Sequence, residues 1–323
     1  MIKTIVKPLG RLMLSMFGFM YDFNRYRKYS GFKCDYRDPS VRNYYVAKVY
    51  HSLEKSMSFK NRKLGSGWKD VALLCDVLEA AFKEGRLGFH DFVGFEILDS
   101  FIKLGGAPDE VQLLRAQDLV ANFLASNDFL EVPSGSIKLS KEDIFKGRLE
   151  NPENFFFTRY SLREYSEEPV SDEIISRAIK LAMKTPSACN RQPWHVYQIS
   201  EREKIDIALS FQSGNRGFGH KVPMLLLITM DLKAFVPAQE RYQHWIDGGM
   251  FSMSIIYALP SLGLSSCCLN WSKLGGEDLK LRRALNLDSE HTVMMMLAVG
   301  HPDDDNNLCV SPRRPLNEVI TKL

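Results

Sequence analysis

The hydrophobic pattern of this chain changes period near residue 150, and that change limits the folds open to it. From Pro39 to about Ser126 apolar residues recur at three- and four-residue spacing, with no convincing strand among them. Val71, Leu74, Val77, Leu78, Ala81 and Phe82 follow Trp68 in this way until Gly85 stops the run. A second run, Asp91 to Leu104, ends at Gly105-Gly106, and Pro108 is predicted to open a third at the first-turn position that suits proline. Pro133-Ser134-Gly135-Ser136 and the polar stretch to Pro152 read as a linker. At 323 residues the chain is long for one core. Two domains are therefore expected, a helical one over residues 1–150 and a second over residues 151–323.

The second half alternates between helix and strand. Ser171 is a candidate cap for a helix whose Ile174, Ile175, Ala178, Leu181 and Ala182 would share an apolar face, and Thr185-Pro186 should end it, because proline drives the preceding residue out of helical geometry. Strands are predicted at His195–Ile199, Val222–Met230, around Cys267-Cys268, and at His291–Gly300. Helices are predicted at Ile246–Leu262, which carries Gly248 and Gly249, and at Leu279–Leu287. The fold class is α+β.

An apolar fraction of 45% and a charged fraction of 25% are those of a water-soluble globular protein. Met1–Lys60 holds twelve Lys or Arg against four Asp or Glu, an excess of eight that leaves the remainder net negative by five. That asymmetry makes the N-terminus a candidate for contact with an anionic membrane or partner. The apolar stretch Leu12–Met20 is too short to span a bilayer and is followed by no small-residue cleavage site. Two readings stay open for it, a helix packed on the protein or an interfacial basic amphipathic anchor. The basic N-terminus comes with no recognisable nucleic-acid module. Cys34, Cys75, Cys189, Cys267, Cys268 and Cys309 show no zinc-ligand spacing and read as reduced thiols of a cytoplasmic protein; the seven scattered histidines suggest no metal site. Cys267 and Cys268 are expected on opposite faces of a buried strand.

Thr185-Pro186-Ser187-Ala188-Cys189-Asn190-Arg191-Gln192-Pro193-Trp194 sets hydrogen-bonding side chains between two prolines directly after a helical run. Such a loop is built to hold something. Upstream stand Arg159-Tyr160-Ser161-Leu162-Arg163-Glu164-Tyr165 and then Pro169-Val170. An Arg-x-Ser-x-Arg stretch, a Pro-Val entry to a helix and a Pro-Ser-x-x-Asn-x-Gln-Pro-Trp exit, in that order, resemble the nitroreductase family of FMN-dependent oxidoreductases over roughly residues 151–323. The resemblance implies a mixed β-sheet flanked by helices, preceded here by a small all-helical N-terminal domain. It also implies an intertwined homodimer with FMN at the interface, NAD(P)H as electron donor and a small-molecule acceptor.

FMN carries a nearly dianionic phosphate, so holding it without a Gly-rich loop needs fixed cations. Arg159, Ser161 and Arg163 alternate along an extended stretch and can face one ligand, with Tyr160 between them. By the resemblance, Arg313 is the C-terminal phosphate-binding arginine, with Arg314 the one-residue alternative. Pro186, Ser187, Ala188, Asn190 and Gln192 belong to the loop that reaches the flavin of the second subunit, and Asn215 matches a flavin-contacting asparagine. Asn270-Trp271 stands where relatives place Glu-Gly beside flavin N5, so the indole is expected to narrow the space above the ring. No catalytic side chain is assigned: the flavin carries the hydride, and ping-pong kinetics are expected.

The leading reading is an NAD(P)H-oxidising flavin reductase of unidentified acceptor. The alternative is a redox-inactive flavin-fold scaffold, since His51-Ser52-Leu53-Glu54-Lys55 and Phe59-Lys60-Asn61-Arg62 resemble the N-terminal extension of nitroreductase-like proteins associated with bacterial surface-polysaccharide synthesis.

Overall fold

The structure is a computed structural model that describes residues 2–31, 35, 37–130, 133–236 and 238–323, and the side chains from residue 9 onward. Cys34 lies outside the described residues. Among them, the first half is helical: α1 (Ile2–Tyr29), α2 (Pro39–Ser58), α3 (Trp68–Glu84), α4 (Phe89–Ile102) and α5 (Glu110–Leu124). Asp38 caps α2 by accepting from Ser40 N–H, and Pro39 takes the first turn, where its missing N–H costs nothing. Pro108 does not do the same for α5. Asp109 is the cap, accepting from Gln112 N–H at 2.8 Å, so the helix begins after it and Pro108 stays outside. A side-chain oxygen satisfies a free N–H of the first turn, which proline cannot.

Helices α2 to α5 bury one another around Val46, Leu53, Leu74, Leu78, Phe95 and Phe123, and Phe95 stacks on Phe123 with ring centroids 4.1 Å apart. Each fully buried large apolar side chain contributes roughly 1.5–3 kcal/mol, which is why this half can hold together without a sheet. The segment read as a linker carries two short helices, α6 (Lys141–Phe145) and α7 (Pro152–Phe157), at either end of a polar turn.

In the second half, α8 (Asp172–Ala182), α9 (Arg202–Ser210), α10 (Gln243–Ser261) and α11 (Gly275–Leu285) flank β1 (Trp194–Ile199), β2 (Met224–Asp231), β3 (Ser265–Asn270) and β4 (His291–Gly300). The sheet order is β1-β2-β4-β3 and every named pair is antiparallel. The parallel component is the bridge from Ser161 to Ser266 of β3. Strand β2 is buried along its whole length. Met224, Leu226 and Ile228 face α8 and α10, while Leu225 and Leu227 face α9 and α11, so the run is apolar on both sides. Ser171 caps α8 as expected, but Leu181 points to solvent and is not on the buried face.

Strand β4 bulges at Met294, the residue left over between the pairs Ile228–Met295 and Thr229–Val293. Gly248 of α10 packs there, and a Cβ on it would lie 2.6 Å from Met294 Cγ. Helix α1 packs on the second half through its C-terminal part. Tyr26 donates to Val236 O at 2.8 Å and Arg25 to His291 O at 2.9 Å.

Candidate functional site

Beyond α7 the chain runs extended along the outer side of β3. Leu162 N–H donates to Ser266 O at 3.0 Å, and Leu162 is buried. Pinning Leu162 inward turns its neighbours Ser161 and Arg163, and Arg159 two residues earlier, toward the opposite side. There they border a cavity of about 710 Å³ with Tyr160 and, from the C-terminal tail, Arg313. Arg314 does not border it. Phe156 and Tyr257 form part of the wall, their rings 5.1 Å apart, and Cys268 and Cys309 open into it.

No carboxylate lines this cavity, and among the described residues Arg159, Arg163 and Arg313 are ion-paired with none. Arg163 lies 3.8 Å from Cys309 Sγ and 6.0 Å from the Phe218 ring centroid. Cys267 is buried while Cys268 is exposed, the alternation expected of a strand. Three unneutralised guanidinium groups beside a serine hydroxyl and an aromatic wall suit a dianionic phosphate attached to something larger.

The Pro186–Gln192 loop lies elsewhere. None of its residues borders the arginine cavity; Gln192 lines a separate cleft of about 440 Å³ with Phe89, His90, Trp194 and Phe251. Cys189, Asn190 and Gln192 adopt φ of 54°, 50° and 51°, a left-handed geometry that side chains other than glycine resist. The surroundings impose it. Arg191, 2% exposed, donates to Ala188 O and Glu240 Oε2, both at 2.9 Å. Ser187 Oγ accepts from Gln192 N–H at 3.0 Å, and Asp247 Oδ2 accepts from Ala188 N–H at 3.1 Å. Burial raises the Asp247 carboxyl, with Gln243 and the Ala188 amide opposing it. Pro186 and Asn190 are exposed.

Asn215, Asn270 and Trp271 are also outside the cavity. Asn215 Nδ2 donates to Leu209 O at 3.3 Å, and Asn270 Nδ2 to Ser272 Oγ at 3.0 Å. Trp271 is held by the core: its indole N–H donates to Asp278 Oδ1 at 2.8 Å and its ring packs on the apolar cluster under α11. A buried carboxylate one turn into α11 offers a stronger bond than solvent. Sequence reasoning missed Asp247, Glu240 and Asp278. Each is a single acid whose partner lies far away in the chain, a relationship that spacing does not reveal.

The sequence description of the nitroreductase family matches residues 157–216 and 206–301. An Archaeoglobus fulgidus protein named "Putative NADH dehydrogenase/NAD(P)H nitroreductase" is 30% identical over 155 residues, covering 47% of this chain and 85% of that protein. Iodotyrosine deiodinase of Danio rerio is 23% identical over 220 residues, 58% of this chain and 72% of the deiodinase. The solved FMN-dependent nitroreductase of Clostridium difficile R20291 is 20% identical with a TM-score of 0.42, over 48% of this chain and 90% of that one. The arginine stretch at 159–163, the proline-bounded loop and the four strands all fall within the matched span, and through that half the chain belongs to the nitroreductase family.

Proposed function

We propose that the protein is an NAD(P)H-dependent flavin oxidoreductase that binds FMN, with Arg159, Ser161, Arg163 and Arg313 holding the phosphate. The observation that carries this reading is the convergence of three arginines, drawn from segments about 150 residues apart, on one cavity that has no acidic residue in its wall. Family membership supports it, as do relatives named for NADH or NAD(P)H. When bound, the flavin would supply hydride acceptance and donation. The chain's own part is to fix the phosphate, exclude water with Phe156 and Tyr257, and hold the loop backbone rigid through Arg191 and Asp247.

The loop's distance from that cavity fits a homodimer in which Pro186, Ser187, Ala188, Asn190 and Gln192 serve the flavin of the second subunit, with Asn215 and Asn270 near the ring. Exposed apolar side chains on α10 (Trp245, Ile246, Met250) and on the tail (Val310, Leu316, Val319) are surfaces a second subunit would cover. Residues 1–150 form an appended helical domain and residues 151–323 the reductase domain, a division that the separate core of α2 to α5 supports. The five described cysteines are free thiols, in keeping with a cytoplasmic protein. The excess charge of residues 1–60 suits peripheral contact with an anionic membrane.

Purified protein should show flavin absorbance that NADH or NADPH bleaches. A colourless protein that ignores added FMN would leave the scaffold reading, with the N-terminal domain recruiting partners in surface-polysaccharide synthesis, as the one to pursue.

A further inference from the structure

From Leu9 to Met20, α1 leaves most of its side chains exposed. Leu9, Leu12, Met13, Leu14, Met16, Phe17, Phe19, Met20 and Phe23 are each at least half exposed, a run of large apolar side chains for which the fold provides no cover. All but Leu14 share one face of the helix. At about 100° per residue these eight fall within an arc of about 160° centred near Leu9 and Met20. Arg11, Leu14, Ser15, Gly18 and Asp22 fall on the opposite side, the chain before Leu9 carries Lys3 and Lys7 in its sequence, and Asp22 is the first acidic residue of the chain.

We propose that α1 is an interfacial anchor that lies in the plane of an anionic phospholipid surface, its apolar arc inserted between the headgroups and its lysines and arginines level with them. Charge selects this occupant over a second copy of the chain. Residues 1–60 carry an excess of eight positive charges, which a second copy would double and anionic headgroups neutralise. Lying flat is the geometry left open, because no described helix is long and apolar enough to cross a membrane. A basic polar side opposite a Phe- and Leu-rich one is what interfacial helices share.

The second part of α1 fastens this anchor to the body of the protein. Tyr21 donates to Asp278 at 2.6 Å, Arg25 to His291 O at 2.9 Å and Tyr26 to Val236 O at 2.8 Å, all on the strand-and-helix ends beneath α1. The helix thus holds the second half of the chain at a fixed attitude to the lipid. This inference deepens the peripheral-contact reading and is independent of the flavin.

Full-length protein should co-sediment with vesicles of phosphatidylglycerol and phosphatidylcholine in equal parts, and about tenfold less with phosphatidylcholine alone. The double variant Leu9→Glu, Met16→Glu should lose binding to the anionic vesicles by about tenfold or more with unchanged circular dichroism, since both side chains are solvent-exposed. Binding that ignores lipid charge, or a wild-type protein that stays in the supernatant with both vesicles, overturns the proposal. So does a change of oligomeric state in the double variant by analytical ultracentrifugation, which would show that a second copy covers the arc. Flavin content plays no part in these readouts, so their failure leaves the reductase reading untouched.

Discussion

Tyr21 and Asp278, 257 residues apart, meet through a 2.6 Å hydrogen bond that ties the first helix to the last one. Asp278 also accepts from Trp271 Nε1 at 2.8 Å and from Arg282 Nε at 2.6 Å. Burial would raise this carboxyl, but the Arg282 charge and the Tyr21 bond outweigh burial and hold it below the ordinary aspartate value. One buried carboxylate therefore anchors a helix end, an indole and a guanidinium.

Removing that carboxylate should be costly. Asp278→Ala leaves Arg282 buried without its partner and is expected to lower stability by about 3–5 kcal/mol. Tyr21→Phe removes one bond to a charged group and should cost about 1.5–3 kcal/mol. Urea denaturation midpoints compare the two, and a Tyr21→Phe protein as unstable as Asp278→Ala would show that the acid does no more than receive the tyrosine.

The phosphate site makes a second prediction. Arg159→Ala and Arg313→Ala should each weaken FMN binding by about ten- to a hundredfold, the worth of one charge-assisted hydrogen bond, while thermal stability of the apoprotein stays put. Arg314→Ala should bind as wild type. Fluorescence titration of the apoprotein with FMN reads all three, and full affinity in Arg159→Ala would show that this guanidinium is merely solvated.

Assembly gives a third. If the loop serves a neighbouring subunit, the protein should sediment as a dimer, and Val319→Glu with Ile320→Glu on the exposed tail should weaken the dimer and FMN retention together. A monomer that keeps FMN tightly would sink the shared-site arrangement.

Acid should unfold this protein early. Burial lowers His90, His244 and His291 from 6.5 to about 4, so each is neutral in the fold and protonated in the unfolded chain between those values. Their contribution is complete above pH 6.5 and is lost as pH falls toward 4, by up to about 3 kcal/mol each. Asp231 opposes them. Burial raises it from 3.8 to about 6, so its proton favours the fold as pH falls through the same range. Three histidines outweigh one aspartate, and the denaturation midpoint should drop between pH 6.5 and 4. His90→Asn should flatten that slope by about half, since Asp231 already cancels one of the three histidines; a slope unchanged in the variant would mean that His90 protonates without penalty.

Much of the architecture could be read from the chain. Strand β4 runs from His291 to Gly300 as its apolar run indicated, and Ser171 caps α8 because a hydroxyl there satisfies a free N–H whatever the tertiary context. Pro108 was misread for the same kind of local reason: Asp109 competes for the cap and wins. Leu181 was placed on the buried face by period alone, but which part of an amphipathic arc is covered depends on how closely α10 approaches.

The sequence by itself determined the periods, the caps and the charge asymmetry, because these arise from neighbours within a few residues, and it determined that Arg159, Ser161 and Arg163 share one side of an extended stretch. Only the tertiary structure decided that Arg313 joins them over a cavity without acids, that Trp271 turns inward to Asp278, and that Arg191 holds three residues of its loop in left-handed geometry. It also left the apolar face of α1 from Leu9 to Phe23 exposed. Each of these outcomes depends on groups brought together from distant parts of the chain, where burial and charge strengthen contacts that sequence spacing does not encode.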